Sequence, residues 1–482
     1  MQIMCIRIVR GCFLFALQSA EVLGMDPLEI IPFSRQLLAK NTFFTVIVLI
    51  AVCGAASAET VQVPAWAPQL LGMQATIIYQ NMPAFSNPYE GQNSLTFENG
   101  EGHGHTETYG VYLGSQLAPS LQAYLDIEQA RGNGISHAVG LGGITDGDMI
   151  RRGSSGLGSD PYIARLYLRY LVPLSQETAT VERGMDQLPG AEFARRIEIK
   201  AGLLAATDDF DLNRYANNTR TQFMNWGLIN NTAWDFAADT RGYSYGVVLS
   251  LVEPSWRLAF GSYQMPTEAN GNEFDGHLDE ARGDNLGLTI KPNQQGTVIS
   301  FLAYRNLGRM GDYAEAIAIG AASSSTPKIA AGDQAGRSKY GFGIDVEQPL
   351  ADDGETGAFA RIGWNDGRTE DFVFTEVDRH VSTGVQVSGL HWGRTDDRVG
   401  IAYVWHGLSP EHREYLAAGG IGFLLGDGRL NYGLEQILES YYRIQLGQYA
   451  QLSPDFQYIQ NPGYNRDRGP VEVYSLRLRV SY

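Results

Sequence analysis

From Val471 to Tyr482 the chain alternates without a break. Tyr474, Leu476, Leu478, Val480 and Tyr482 fall on one face, and Ser475, Arg477, Arg479 and Ser481 on the other, because successive strand side chains point to opposite sides. One oily face and one doubly cationic face suit a strand with lipid on one side and water on the other. The same period recurs from Leu70 onward. It predicts strands over Leu70–Asn81, Glu107–Leu117, Leu121–Arg131, Tyr162–Val172, Phe193–Leu203, Tyr243–Leu251, Trp256–Tyr263, Asn285–Lys291, Thr297–Asn306, Lys339–Gln348, Ala358–Asn365, Arg379–Leu390, Val399–Gly407, Tyr432–Leu446, Asp455–Gln460 and Glu472–Tyr482. The count is even, as in single-chain bacterial barrels.

Three short links share one device: Leu117-Ala118-Pro119-Ser120, Val252-Glu253-Pro254-Ser255 and Leu452-Ser453-Pro454-Asp455. Proline lacks the ladder donor and presets a turn, so each is expected to close a hairpin. The links between hairpins are long, as on the outer face of a barrel. Ser175–Glu192 is long where a short turn is due; with no apolar periodicity, it reads as a periplasmic excursion. The expected fold is all-β, a transmembrane antiparallel β-barrel of about sixteen strands, with short periplasmic turns and long extracellular loops. A soluble sandwich or propeller is the alternative, but a propeller would show repeats of roughly 40–50 residues, and none is found.

The N-terminus agrees. Arg35 and Lys40 precede an apolar run from Phe43 to Val52, and Ala56-Ser57-Ala58 follows as a small-x-small site. This is a secretory leader, too short for a spanning helix. The division is therefore an N-terminal extension plus signal peptide over 1–58, cut before Glu59, and a barrel over 59–482, with Met25 as an alternative start. A lipoprotein would use Cys53, but Val52 stands where such sites want a small residue. Cys5, Cys12 and Cys53 all precede the cut, so the exported chain carries no disulfide framework.

Composition narrows the partners. Asp and Glu number 53 against 36 Lys and Arg, a formal net charge of −17. That balance excludes nucleic acid as a partner. After the leader only Lys200, Lys291, Lys328 and Lys339 are lysines, so most positive charge is arginine, a rigid fork of donors.

Alternation assigns the lumen. Leu121, Ala123, Leu125 and Ile127 face lipid, so Gln122, Tyr124, Asp126 and Glu128 face inward. In the next strand Tyr162, Ala164, Leu166, Leu168 and Tyr170 face lipid, so Arg165, Tyr167 and Arg169 face inward. Acids of one strand then meet arginines of its neighbour. Arg196, Glu198 and Lys200 follow, and Arg443, Arg477 and Arg479 complete the ring. Such pairs either grip a solute or only neutralise each other and stiffen the wall. Rings of both signs do not suit a strongly ion-selective pore; they suit a neutral, hydroxyl-rich solute.

The link Thr207–Arg241 is the other candidate site. It carries Arg220, Asn225, Trp226, Trp234 and Asp235 among other amide and aromatic residues. Tryptophan faces stack on the C–H face of pyranose rings, while Asn, Asp and Arg bind hydroxyls. Alternatively Phe223, Trp226 and Trp234 form a packing core for the loop. Other signals are set aside. His103-Gly104-His105 reads as part of a Gly-rich outer loop, and the Asp208, Asp209, Asp211 group lacks the spacing of a calcium loop. Gly140–Gly143 lacks the strand–helix context of a nucleotide loop. His380, His391 and His406 would serve a lipase-type barrel only beside a serine.

At this link the chain becomes recognisable. Arg220-Thr221-Gln222-Phe223-Met224-Asn225-Trp226, then Asn230-Asn231-Thr232-Ala233-Trp234-Asp235 and Ala238-Asp239-Thr240-Arg241-Gly242-Tyr243, resembles the carbohydrate-selective porin family of the OprB type. Gln457–Asn465 and the closing Leu476-Arg477-Leu478 are similar to it as well. The resemblance implies a bacterial outer-membrane barrel passing glucose-like sugars passively through a polar constriction of arginines, acids and aromatic rings. Neither catalysis, nor a cofactor, nor a metal is expected. The partners are mono- or oligosaccharides, outer-membrane lipid, the barrel-assembly machinery reading the strand that ends in Tyr482 and, in a homotrimer, further copies of the chain. Alternatives are a general diffusion porin and a polysaccharide-export barrel. Glu128, Arg165, Arg169 and Arg443 rest on strand alternation alone.

Overall fold

The computed structural model describes residues 68–148 and 157–482. The leader, its cleavage position, the alternative start and the three cysteines lie outside them. The strands are β1 (Leu70–Asn81), β2 (His103–Ala118), β3 (Leu121–Asn133), β4 (Tyr162–Pro173), β5 (Thr178–Val181), β6 (Gly190–Phe193), β7 (Arg196–Leu204), β8 (Ser244–Glu253), β9 (Trp256–Gln264), β10 (Arg282–Ile290), β11 (Val298–Met310), β12 (Gln334–Ala351), β13 (Thr356–Asn365), β14 (Arg379–Ser388), β15 (Arg398–Gly407), β16 (Glu435–Leu446), β17 (Ala450–Gln460) and β18 (Val471–Ser481). All but β5 and β6 form one closed barrel, with β4 beside β7 and β18 closing on β1. Thr76 faces Arg479 and Ile77 faces Leu478 across that seam. Closure leaves no unpaired sheet edge.

The sixteen predicted strands are all present, with shifted ends. Their alternation is the cause of the barrel. In β4, Leu166, Leu168 and Tyr170 are 52%, 49% and 47% exposed on the outer face, whereas Tyr167 and Arg169 between them are 8% and 5% exposed. Among the described residues no helix is long and apolar enough to cross a membrane. Three short helices sit in the links: α1 (Trp226–Ile229), α2 (Tyr313–Ser323) and α3 (Pro410–Ala417). The Asp312 side chain caps α2 by accepting from Glu315 N, and Ser409 caps α3 by accepting from His412 N, as such residues do at helix starts.

Two local expectations are corrected. Leu452–Asp455 is not a turn: β17 runs through it with Pro454 opposite Leu476. The hairpin turns at Gly447–Tyr449 instead. On the β16 side the pairing skips from Asp455 to Leu452, so the proline sits where the ladder is already interrupted. Second, Tyr162 and Ala164 do not face lipid. The β3–β4 register slips between Arg165 and Ile163, and such a slip moves a residue to the opposite face. Ile163 is consequently exposed at 49% and Ala164 buried at 0%. The Ser175–Glu192 link, expected as a periplasmic excursion, contains a small hairpin outside the barrel ladder, in which Thr178 pairs with Phe193 and Val181 with Gly190.

Candidate functional site

The link between β7 and β8 folds into the lumen, and wall side chains hold it by its backbone. Arg477 of β18 donates to the carbonyls of Thr219 and Gln222, and Arg443 of β16 to that of Thr221 at 3.4 Å. Glu439 accepts the N–H groups of Met224 and Asn225. Arg361 of β13 donates to Leu228 O at 3.0 Å. Thr232 Oγ1 lies 2.7 Å from His380 Nδ1 and 3.1 Å from His406 Nε2. The apolar side of the link packs on inward wall residues: Phe223, Leu228 and Ile229 cluster with Phe359, Val404, Ile437 and Ile459. Part of the lumen is thereby filled.

Beside it lies a cavity of about 710 Å³, in the range of small-molecule sites. Eight basic and six acidic residues line it, so neither sign prevails. Held by its backbone on the β16–β18 side, the link sends the Arg220 side chain toward β2 and β3. Its guanidinium meets Glu128 at 2.9 Å, Asp148 at 2.7 Å and the Tyr112 hydroxyl at 2.8 Å. Glu128 also accepts from Tyr243 Oη at 2.8 Å. Arg165 pairs with Asp208 at 2.5 Å and Asp126 at 3.3 Å. Arg169 binds Glu192 and Glu198. Lys200 and Arg257 share Asp209 at 2.9 and 2.8 Å. Behind this rim Asp146 is buried, and burial first, Asp148 second, push its carboxyl up to about 7.

Aromatic rings face the charges. Trp226 and Phe374 stack at 4.7 Å and 13°, and both line the cavity. Phe236 continues the stack at 5.4 Å from Phe374. On the other side the Arg241 guanidinium lies 4.6 Å over the Tyr162 ring and Arg165 lies 5.3 Å over Tyr243, within cation–π range. The backbone of Phe374 is left-handed at φ 61°, uncommon for a bulky residue. Asp235 holds that segment by accepting the N–H groups of Phe372 and Val373, both at 2.9 Å.

A model of the carbohydrate-selective porin, OprB family, matches residues 117–482. The chain belongs to that family. It is an outer-membrane carbohydrate porin, and the family is one of channels rather than enzymes. Among solved structures, Pseudomonas putida OprB at high pH matches with a TM-score of 0.64 at 13% identity, over 86% of this chain and 94% of that one. At that identity the match bears on the fold alone. Salmonella typhi OmpF in complex with daunomycin matches at 0.46 and 10% identity, over 86% of this chain and 97% of that one. Acinetobacter baumannii DcaP gives 0.46 and 10%, over 86% and 96%. No curated protein matches the chain.

In this porin the predicted site residues divide into two groups. Glu128, Arg165, Arg169, Arg220 and Trp226 line the cavity. Asp126, at 0% exposure, stands behind Arg165. Asn225, Trp234, Asp235, Arg443 and Arg477 are not among the lining residues. Asn225 caps α1 and donates to Gln457 at 2.9 Å, fixing the turn that carries Trp226. Trp234 is 1% exposed, its Nε1 donating to Asn285 at 2.9 Å, so packing claims it. Asp235 positions Phe374, and Arg443 and Arg477 hold the link. Sequence reasoning missed Phe374, Arg241, Tyr243 and Arg257, and set Tyr162 on the wrong face. Arg241 and Tyr243 were within reach, since they belong to the segment that carries the family resemblance.

The set-aside signals have structural explanations. Asp208, Asp209 and Asp211 each meet a base: Arg165, Lys200 with Arg257, and Arg361. His380 contacts Ser382 at 2.9 Å, and His406 contacts Glu435 at 3.2 Å; both histidines are at most 1% exposed and help tether Thr232. His391 is on the exterior with Asp352 at 3.0 Å. Asp371, Asp378 and His412 offer ligand atoms within 4.8 Å of one another. The buried Lys339 ammonium already pairs with Asp371, and His412 Nδ1 lies 3.1 Å from Asp378. The cluster therefore has its own positive charge.

Proposed function

We propose that glucose-like sugars cross this porin passively through the cavity beside Arg220, with one face on the aromatic stack and their hydroxyls on the charged rim. The single observation that carries this reading is the half-buried Trp226–Phe374 pair facing a rim of paired arginines and acids within one cavity. A pyranose has an apolar C–H face and an equatorial belt of hydroxyls, which is the same division. Arg165, Arg169, Arg196, Arg220 and Arg257 each keep a carboxylate partner, so most of the rim offers donors and acceptors in pairs of opposite charge. Contacts of this kind are weak and successive, and a passive pore needs them so, because tight binding slows release. The strand ending at Tyr482 is the segment that we assign to the assembly machinery.

The test is single-channel current of the purified protein in a planar bilayer, titrated with glucose, maltose and an uncharged control polyol. Saturable block by a sugar and none by the polyol supports the reading. An open pore without sugar-specific block makes it a general diffusion pathway and returns the rings to packing.

A further inference from the structure

The cavity has a wall that no strand supplies. Met185, Asp186 and Gln187 line it, although they belong to the β4–β7 link on the periplasmic side, where the turns of a porin are short. β5 and β6 lift the chain out of the barrel and return it as a tight turn, with Gly184 N donating to Gln187 O at 3.1 Å.

The turn is built into the mouth of the barrel. A Cβ at Gly72 of β1 would come within 2.5 Å of Met185 O and 2.9 Å of Met185 Sδ, so this wall position is bare where the turn leans on it. Arg183 donates to Leu71 O at 2.6 Å and lies 5.9 Å over the ring of Tyr482. Leu188 is 6% exposed and packs with Leu70, Tyr124 and Tyr167. Its N–H points at the Tyr124 hydroxyl at 3.4 Å. Further along, Glu192 joins Arg169 and Arg196. At the tip, the Asp186 carboxyl stands near those of Asp126 and Asp208, with Arg165 as the largest compensating charge. The Asp186 and Asp126 carboxyls each have one buried oxygen that no donor reaches.

The geometry points to the turn Gly184–Leu188 as the periplasmic wall of the sugar constriction, with Asp186 as a specificity-determining residue for the solute. A sugar leaving the Trp226–Phe374 face passes between Arg165 and this turn. The carboxyl of Asp186 takes a hydroxyl proton donor there, and Met185 supplies an apolar edge. The inference rests on the sugar-porin reading above and adds a second, periplasmic element to the selectivity that the β7–β8 link provides.

No cysteine follows Cys53, so an introduced thiol in the barrel stands alone. Asp186→Cys, reconstituted and treated with a bulky thiol-reactive reagent from the periplasmic side, is expected to lose most of its single-channel current, and saturating glucose is expected to slow the loss. Thr180→Cys, exposed on β5, is expected to react with its current unchanged. Asp186→Asn, nearly identical in shape, is expected to raise the glucose concentration for half-block severalfold. Unchanged current after labelling at Asp186→Cys, or unchanged block in Asp186→Asn, overturns the inference while leaving the sugar reading intact. Absence of sugar block in the unmodified protein overturns the sugar reading instead.

Discussion

The Trp226 ring lies 4.7 Å from that of Phe374, tilted by only 13°. The two belong to separate links, one between β7 and β8 and one between β13 and β14, and meet only because both enter the lumen. Stacked this closely, the two rings brace each other, and the half-buried Trp226 keeps part of its apolar surface toward the cavity. Aromatic contacts of this geometry contribute about 0.5–1.5 kcal/mol beyond area burial. Trp226→Ala is therefore expected to raise the half-blocking glucose concentration roughly two- to tenfold, with a smaller change in open conductance. Current-block titration measures both.

Trp234→Ala is expected to behave differently. That indole is in the packing core with Phe210 and Phe236, so its loss costs about 3–5 kcal/mol of stability. A large fall in the thermal midpoint with a smaller effect on block separates the two tryptophans; the reverse order would contradict these assignments.

Asp235→Ala leaves the N–H groups of Phe372 and Val373 without their acceptor, and each unsatisfied buried group costs about 1–3 kcal/mol. Phe374 then loses the support for its left-handed backbone. The expected result is weaker sugar block in a folded barrel, although Asp235 lines no part of the cavity. Block equal to that of the unmodified protein would show that Phe374 is held by other means.

Arg220→Ala removes the cation shared by Glu128 and Asp148. Two carboxylates then face the lumen uncompensated, and one obstruction is gone. Reversal potentials in a salt gradient are expected to move toward cation selectivity, and conductance to rise.

Acidification probes the periplasmic turn. Burial pushes the Asp186 carboxyl up to about 6. A carboxyl with a raised value is neutral below it and charged above it, so lumenal negative charge appears as pH rises from about 5 to about 7. Cation selectivity is expected to increase over that interval in the unmodified protein and to vary less in Asp186→Asn.

The barrel was legible because each strand is read by two solvents. Lipid demands Leu166, Leu168 and Tyr170 on one face whatever the lumen holds, and the period of two survives. The failures occurred where local geometry changes without changing composition. Pro454 carries the same turn signal as Pro119 and Pro254 but sits within a strand. The slip at Ala164 reverses Tyr162 with no mark in the sequence. In the β7–β8 link no period exists, so Trp226 and Trp234 read alike although one faces the cavity and the other is buried. The inward face of the β15–β18 wall is also apolar at Val404, Ile437 and Ile459, since it packs against protein and not water. Arg443 and Arg477 were correctly placed on the inner face, but their partners are loop carbonyls, which a sequence pattern does not show.

The attachment of the β7–β8 link has a consequence for biogenesis. Arg477, which grips the carbonyls of Thr219 and Gln222, lies on β18, the strand that also closes the ring against β1. A chain whose final strand has not yet docked lacks both the seam and this grip. Narrowing of the passage is thus coupled to completion of the cylinder, and a truncated or stalled chain would differ from the finished protein in permeability as well as in strand number.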